Sequence, residues 1–221
     1  MATVVFDLDG TLVDSAPDLA AALNHVLAGE GLPTLPLARV RSLVGAGAVA
    51  MLRRGFEVAG EPLGAARLPP LRLRFLDHYR AGIARRTRPF PGALAALDAL
   101  AGAGHALALC SNKPEAMCRA LLDALDLSAR FASVIGGDSV GIGKPDPAPL
   151  RAAVERAGGN VTEAVMIGDS APDVGAARAL GIPVCLVSFG YTDIPAGELG
   201  ADAVIDHFRE LSEALGALAF A

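Results

Sequence analysis

The stretch from Val4 to Ser15 reads V-V-F-D-L-D-G-T-L-V-D-S, in which Asp7, Asp9 and Asp14 closely follow a short apolar run. The run predicts a buried strand, because a few consecutive apolar residues bounded by polar ones are typical of a sheet interior. Carboxylates at this density repel one another. We therefore expect a cation, a reaction or both at the end of this strand.

The composition is that of one large globular domain, or of one domain with an insertion, because 52% of the 221 residues are hydrophobic and 19% are charged. The net charge of -5 disfavours a general nucleic-acid binder. The three cysteines form no C-x-x-C pair, and neither a signal peptide nor a membrane span is recognisable. We expect a cytoplasmic protein without nucleic-acid or membrane partners; the composition leaves monomer and homodimer open.

Short apolar runs alternate with helical patterns along most of the chain. The predicted strands are Thr3–Phe6, Ala106–Cys110, Ser133–Ile135, Ala164–Ile167, Val184–Val187 and Ala203–Ile205. The helices predicted between and after them cover residues 92–101, 114–125, 147–157, 172–180 and 208–218. This alternation is typical of βαβ units, so we predict an α/β fold with a parallel sheet and helices on both of its faces.

The segment from Ser15 to Arg88 interrupts the alternation, because it contains helical patterns and no convincing strand. Its predicted helices cover residues 18–28, 37–44, 49–59 and 71–84. Prolines flank the segment, in D-S-A-P-D at its start and in R-P-F-P-G at its end, as expected of hinges. We predict an all-α insertion.

Polar residues follow the predicted strands, at the sheet edge where open parallel sheets bind ligands. They are Asp7, Asp9, Ser111, Asn112, Lys113, Lys144, Asp169 and Asp173. Four carboxylates at one edge would repel by about 4 kcal/mol per close pair at an effective dielectric constant of about 20. Ligands that are all oxygens favour a hard cation, so the sequence predicts Mg²⁺ as cofactor.

The same edge offers donors for phosphoryl oxygens, namely a hydroxyl, an amide, a lysine ammonium and the backbone amides of Gly10 and Thr11. Hydrolysis of a phosphate monoester needs up to ~10²¹-fold acceleration. Asp7 as nucleophile would divide the reaction in two through an aspartyl phosphate, and Asp9 would act as general acid and base. Mg²⁺ and Lys144 would neutralise the charge between the nucleophile and the phosphate.

The motifs D-L-D-G-T, S-N-K, a lone K-P and G-D-S-A-P-D, in this order from Val4 to about Phe208, resemble the haloacid dehalogenase (HAD) superfamily of phosphatases. The resemblance implies a Rossmann-like core of residues 1–14 and 89–221, with residues 15–88 inserted as an α-helical cap. It also implies particular site residues. Mg²⁺ would be held by Asp7, the Asp9 carbonyl and Asp169, phosphate by Ser111, Asn112, Lys144 and the loop of Leu8, Gly10 and Thr11, and Asp173 would support the metal or Lys144.

Within that superfamily, D-S-A-P-D-L-A-A-A-L-N, C-S-N-K-P and F-G-Y-T-D look most similar to the phosphoglycolate phosphatases. The expected substrate is a small phosphorylated metabolite, 2-phosphoglycolate. The cap would select it. The backbone amides near Gly45 and the Arg41 side chain are the candidate hydrogen-bond donors to the substrate carboxylate.

Three other functions compete with this hypothesis. A sugar phosphomutase or another sugar-phosphate phosphatase would use the same core residues. A receiver-like phospho-accepting module would also carry an acidic cluster on a parallel sheet, although it would lack the insertion. A dehalogenase is disfavoured, because it has no alkoxide for Asp9 to protonate.

Overall fold

The strands and helices of the computed structural model, which describes residues 1–218, follow the predicted alternation. The strands are β1 (Thr3–Phe6), β2 (Val13–Asp14), β3 (Arg88–Pro89), β4 (Ala106–Cys110), β5 (Ser133–Ile135), β6 (Ala164–Gly168), β7 (Val184–Val187) and β8 (Ala203–Ile205). The helices are α1 (Ala16–Gly29), α2 (Leu37–Arg41), α3 (Gly47–Val58), α4 (Leu68–Ala81), α5 (Ala93–Gly102), α6 (Glu115–Ala124), α7 (Pro147–Arg156), α8 (Ala171–Leu180) and α9 (Leu211–Ala217). Within residues 1–218, none of the helices combines the length and the apolar character that a bilayer crossing needs.

Six strands form one parallel sheet in the order β5, β4, β1, β6, β7, β8. The central strand β1 is buried along its whole length and pairs with β4 and β6. Helices α5, α6 and α9 contribute to the apolar cluster on one face, and α7 and α8 contribute to the cluster on the other. The predicted α/β fold class is thus confirmed. All carboxyl ends of these strands meet at one edge, because the strands are parallel.

Several predicted boundaries shift by a few residues. Helix α4 begins at Leu68, ahead of the predicted residue 71, because Pro69 and Pro70 fit the first turn, where no backbone donor is required. The helix predicted over 208–218 begins as a 3-10 turn, and α9 starts only at Leu211. Residues 219–221 of the predicted core segment lie outside the described residues.

A second, two-stranded sheet was not predicted. Strand β2 pairs antiparallel with β3, so that Val13 lies opposite Pro89 and Asp14 opposite Arg88. Two residues are too few for a periodic pattern, and one of the strands contains a proline, which lacks a backbone donor. The pair lies where the chain leaves the sheet after β1 and where it returns before α5. It therefore joins the two connections between the sheet and the helices α1 to α4.

Residues 15–88, called the helical insert below, contain α1 to α4 and have an apolar cluster of their own. Phe56, Phe75 and Tyr79 are almost fully buried in it. Met117 of α6 belongs to the same cluster, so the insert packs against the sheet-bearing part of the chain at this helix.

Asp18, in the first turn of α1, fixes the end of the helical insert. Its carboxylate accepts hydrogen bonds from the backbone N–H groups of Arg86 and Thr87 and from the Thr87 hydroxyl, at 2.7–3.1 Å. Burial alone would raise the pKa of Asp18, but these hydrogen bonds outweigh burial and lower the pKa. The carboxylate therefore stabilises the fold above the ordinary carboxyl pKa, and this contribution is lost as pH falls through the lowered value.

Replacement of Asp18 by alanine is expected to lower the free energy of unfolding by about 1–3 kcal/mol at neutral pH, because it leaves buried donors of Thr87 without an acceptor. Urea unfolding followed by circular dichroism measures the loss. The exposed Asp77 of α4 provides the matched control Asp77→Ala. Equal free energies of unfolding of the two variants would show that Asp18 does not stabilise the segment of Arg86 and Thr87.

Candidate active site at the carboxyl edge of the sheet

The sheet edge gathers the polar residues that were predicted from the sequence. The backbone N–H of Asp7 donates to the Ile167 carbonyl at 2.9 Å, and that of Ser111 donates to the Ile135 carbonyl at 3.0 Å. Each bond continues the strand pairing by one residue. The side chains that follow β1, β4 and β6 therefore start from fixed positions on neighbouring strands.

Lys144 lies at the centre of this group, with its side chain 1% exposed. Its ammonium is 2.6 Å from Asp173 Oδ1, 2.6 Å from the Cys110 carbonyl and 3.1 Å from Asp7 Oδ1. Burial alone would lower the pKa of Lys144, but the carboxylates of Asp173 and Asp7 outweigh it and raise the pKa. Lys144 is therefore a fixed positive charge beside the Asp7 carboxylate.

Asp173 has both carboxylate oxygens occupied. Oδ1 binds Lys144, and Oδ2 accepts hydrogen bonds of 2.9–3.2 Å from the Asp169 N–H, the Ser170 N–H and the Ser170 hydroxyl. These contacts begin helix α8 with a capping box. Asp173 therefore positions Lys144 and the loop of Asp169.

Asp7, Asp169 and Asp173 each place a carboxylate oxygen within 4.8 Å of the others. Asp169 accepts from the Thr11 hydroxyl at 3.0 Å and from the Tyr191 N–H at 2.8 Å. Asp7 Oδ1 is buried and accepts no hydrogen bond from the described residues. It lies 3.1 Å from the Lys144 ammonium, with which it forms an ion pair.

The electrostatics of this cluster favour an added positive charge. Burial is the largest effect on Asp7, and the charges of Asp173 and Asp9 act in the same direction. The charge of Lys144 opposes them, and together these effects raise the pKa of Asp7 to about 6. Burial and the neighbouring carboxylates also raise the pKa of Asp169 well above its ordinary value. Oxygen ligands, one of them unpartnered, are suited to a hard divalent cation. The residues present therefore fit Mg²⁺.

Asp9 is paired with Lys113, a residue that the sequence places at this edge but to which no role was assigned. Lys113 Nζ lies 2.7 and 2.6 Å from the two Asp9 carboxylate oxygens, and the Ser15 hydroxyl also donates to Asp9. The same ammonium donates to the Tyr79 hydroxyl at 3.1 Å and lies 4.6 Å from the centre of the Tyr79 ring. Lys113 thus links the sheet edge to helix α4 of the insert.

The predicted phosphate-binding residues differ in which of their hydrogen-bond donors remain available to a ligand. The Ser111 hydroxyl accepts from the Lys113 N–H at 3.4 Å and keeps its own proton for a ligand. The Thr11 hydroxyl, in contrast, is directed at Asp169. The Asn112 amide donates to the carbonyls of Gly45, at 3.2 Å, and Lys144, at 3.0 Å. Thr11 and Asn112 therefore hold the site together in this structure.

The loop after β1 requires the glycine that the motif contains. Gly10 has φ +91°, and a Cβ atom there would lie 2.5 Å from Asp169 Oδ2. The neighbouring Leu8 is fully buried, and its carbonyl accepts the N–H groups of Leu12 and Val13. This turn brings Asp9 back to the edge two residues after Asp7.

The two candidate residues of the helical insert are separated in the structure. Gly45 lines the cavity beside Asp7. Arg41 does not line it, because its guanidinium lies 2.6 Å from Asp14 Oδ2 and 5.5 Å from the centre of the Tyr191 ring. Asp14 also accepts from the Tyr191 hydroxyl at 2.6 Å. Arg41 is therefore engaged in an ion pair near β2.

A cavity of about 40 Å³ lies between the sheet edge and the helical insert. Its polar residues include Asp7, Asp9, Ser111, Asn112 and Lys113, and its apolar residues include Leu19, Met51, Phe75, Leu76 and Met117. A water molecule needs about 10–15 Å³ by this measure. The cavity therefore has room for only a small group beside the carboxylates.

Comparison with known proteins gives concordant matches. The model of the haloacid dehalogenase-like hydrolase family matches residues 1–181. The chain is 52% identical to the phosphoglycolate phosphatase of Caulobacter vibrioides, over 96% of this chain and 90% of that one, and 44% identical to that of Agrobacterium fabrum, over 96% and 91%. A crystal structure described as a predicted phosphoglycolate phosphatase from Haemophilus somnus superimposes with a TM-score of 0.88 at 28% identity, covering 97% of this chain and 98% of the other.

Proposed function

The chain belongs to the haloacid dehalogenase-like hydrolase family and is a phosphatase, and on this premise we propose that it hydrolyses 2-phosphoglycolate with Mg²⁺ through an aspartyl phosphate. The observation that carries the mechanism is the buried Asp7 carboxylate, whose Oδ1 accepts no hydrogen bond from the described residues and lies 3.1 Å from the Lys144 ammonium. A nucleophile that attacks a dianion needs this combination of a free oxygen and nearby positive charge.

In the first step, an Asp7 carboxylate oxygen forms a bond to phosphorus while the bond from phosphorus to the ester oxygen breaks. For this step Asp9 must carry a proton, in place of the ionised form that pairs with Lys113 in the free protein. It gives that proton to the ester oxygen, and the alcohol leaves. In the second step, Asp9 takes a proton from a water molecule whose oxygen attacks phosphorus. The bond from phosphorus to the Asp7 oxygen breaks, inorganic phosphate leaves and Asp7 is restored as a carboxylate. Lys144 and the Ser111 hydroxyl hold the phosphoryl oxygens during both steps.

Asp7, Asp169 and the backbone carbonyl of Asp9 are the residues that would hold Mg²⁺, with Asp173 in support through its contacts to the Asp169 loop. The bound ion would supply positive charge that offsets the repulsion between the carboxylates and the phosphate. Thr11 keeps the Asp169 carboxylate in place for this role.

The helical insert acts as a cap over residues 1–14 and 89–221. Its helices contribute Leu19, Met51, Phe75 and Tyr79 to the cavity wall, opposite the carboxylates. Closure of such a wall excludes water and limits the size of the leaving group. The connections at residues 14–18 and 88–92, joined by the β2–β3 pair, are the hinges.

The proposed substrate rests on the two phosphoglycolate phosphatases that resemble this chain along nearly all of its length, and on the size of the cavity. Phosphoglycolate has a two-carbon leaving group, which fits a cavity of about 40 Å³ better than a sugar does. The three buried cysteines form no disulfide, which supports a cytoplasmic location.

Phosphate release from phosphoglycolate, glycerol phosphate and a hexose phosphate tests the substrate. We expect kcat/KM for phosphoglycolate to exceed that for the hexose phosphate by about 100-fold or more, because a cavity of about 40 Å³ suits the smaller leaving group. A preference for the hexose phosphate would overturn the assignment. Isomerisation of hexose 1-phosphate without phosphate release would identify a phosphomutase, and a single phosphorylation without turnover would identify a receiver-like module.

The variant Asp9→Asn tests the general acid. The leaving group of ethyl phosphate is ethoxide, which is strongly basic and needs a proton. The leaving group of trifluoroethyl phosphate, trifluoroethoxide, is a weaker base of similar size. We expect a loss of kcat of about 10²–10⁴-fold on ethyl phosphate, and a clearly smaller loss on the fluorinated ester. Steady-state kinetics on both esters provide the measurement. Equal losses would contradict proton transfer from Asp9.

A further inference from the structure

We infer that Lys113, assisted by the Tyr79 hydroxyl, binds the carboxylate of the substrate and thereby selects phosphoglycolate; this assignment rests on the proposed function. Lys113 is the only cationic side chain among the described residues that line the cavity. Its side chain is 6% exposed. The cation is therefore enclosed with whatever group the cavity takes up.

The walls of the cavity make such a partner necessary. A carboxylate placed among Leu19, Phe75 and Leu76 loses its hydration, and a buried charge is tolerated only when it is paired. Arg41 cannot provide the pair, because it binds Asp14 outside the cavity. Lys144, which is held by Asp7 and Asp173, does not line the cavity.

The position of Lys113 matches the covalent structure of phosphoglycolate. A single methylene separates the ester oxygen of this substrate from its carboxylate. The group that protonates the ester oxygen and the group that binds the carboxylate must therefore be neighbours. Asp9 Oδ2 and Lys113 Nζ are 2.6 Å apart.

Helix α4 brings the second donor. The Tyr79 hydroxyl accepts a hydrogen bond from Lys113 and so has its own proton to donate to a carboxylate oxygen. Tyr79 also places its ring against the ammonium, which favours the positive charge. An incoming carboxylate would share Lys113 with Asp9 and contact Tyr79, so it is recognised by groups from the sheet edge and from the helical insert together.

The variant Lys113→Met tests the assignment by comparing kcat/KM for phosphoglycolate and for ethyl phosphate, which replaces the carboxylate by a methyl group. We expect the selectivity for phosphoglycolate over ethyl phosphate to fall by about 100-fold, since removal of one partner of a buried charge pair has at least this effect. An effect of Lys113 on Asp9 alone lowers both values, and it lowers that for ethyl phosphate at least as much, because ethoxide is the more basic leaving group. It therefore does not produce the expected fall in the ratio. Tyr79→Phe is expected to lower the same ratio by about 3- to 10-fold.

The matched control is Arg72→Met, which removes an exposed cation from a neighbouring surface depression and should leave the ratio unchanged. If Arg72→Met loses the selectivity for phosphoglycolate over ethyl phosphate and Lys113→Met keeps it, the assignment is overturned in favour of Arg72. If the unmodified enzyme shows no preference for phosphoglycolate, the proposed substrate is wrong and the role of Lys113 falls with it. If the unmodified enzyme prefers phosphoglycolate and Lys113→Met keeps that preference, the role of Lys113 alone is wrong.

Lys113→Met leaves the Asp9 carboxylate buried without its partner, so the variant is also made in an Asp9→Asn background, where that charge is absent. Calorimetry then replaces the kinetic comparison. It measures the affinities of phosphoglycolate and ethyl phosphate for the Asp9→Asn variant and for the double variant Asp9→Asn/Lys113→Met. We expect the second substitution to weaken binding of phosphoglycolate at least about 10-fold more than that of ethyl phosphate. Equal weakening would overturn the assignment.

Discussion

Replacement of Asp7 by asparagine is expected to reduce phosphate release by about 10⁶-fold, to the detection limit, because the amide cannot form the aspartyl phosphate. The substitution is nearly isosteric and keeps the backbone bond from residue 7 to the Ile167 carbonyl. Acid quenching of the unmodified enzyme with labelled substrate should trap protein-bound phosphate, and the variant should trap none. Turnover of the variant above about one hundredth of the normal rate would contradict a nucleophilic Asp7.

The electrostatics of the site allow a loss of folding in Asp7→Asn to be distinguished from a loss of catalysis. Burial raises the pKa of Asp7 to about 6, so the ionised carboxylate is unfavourable in the metal-free protein at neutral pH. Asp7→Asn should therefore melt no lower than the unmodified protein in the absence of divalent ions. Asp77→Asn, on the exposed face of α4, is the control that should change neither property. A drop in melting temperature of Asp7→Asn would indicate a structural role for the carboxylate.

The sheet was predictable because most of its strands are buried on both faces and so consist largely of consecutive apolar residues, the edge strand β8 being the more exposed one. The strand Val184–Val187 is an example, since its four residues are all buried and its predicted bounds agree with the structure. The β2–β3 pair was not predictable, because Val13 and Pro89 pair across more than seventy residues and neither strand has a pattern of its own. Local sequence therefore determines the strands, and the chain topology determines their pairing.

The residues that follow the strands at the sheet edge were predictable from the sequence, whereas their contacts and the position of Arg41 were not. Asp7 and Asp169 follow apolar runs, which places them at the carboxyl edge of any parallel sheet. The partners of Arg41 and Lys113 depend on how the helical insert packs on that edge. Arg41 turns to Asp14, whereas Lys113 reaches Tyr79 across the cavity. The lysine in S-N-K was a signal for the second contact, because a cation directly after a strand must lie at this edge.

Removal of divalent ions is expected to abolish activity, and Mg²⁺ is expected to restore it. The three carboxylates of the cluster lie within 4.8 Å of one another, and Lys144 supplies a single positive charge among them. A divalent ion offsets the remaining repulsion and provides a partner for the free oxygen of Asp7. Phosphate release after treatment with EDTA, and then after addition of excess Mg²⁺, measures the effect. Full activity of the metal-stripped enzyme would overturn the role of the ion.

The same ion should stabilise the protein in the absence of substrate. At 100 times its dissociation constant, Mg²⁺ would add about 2.7 kcal/mol, which corresponds to a rise in Tm of roughly 5–10 °C for a chain of this size. Protons compete with the ion for Asp7, whose pKa of about 6 means that the rise should shrink as pH falls through this value. Asp169→Asn should lose most of the rise, whereas Asp202→Asn, which alters a surface ion pair with Arg178, should keep it. An equal rise in all three proteins would place the ion elsewhere, because only the cluster of Asp7, Asp169 and Asp173 is changed by the first substitution.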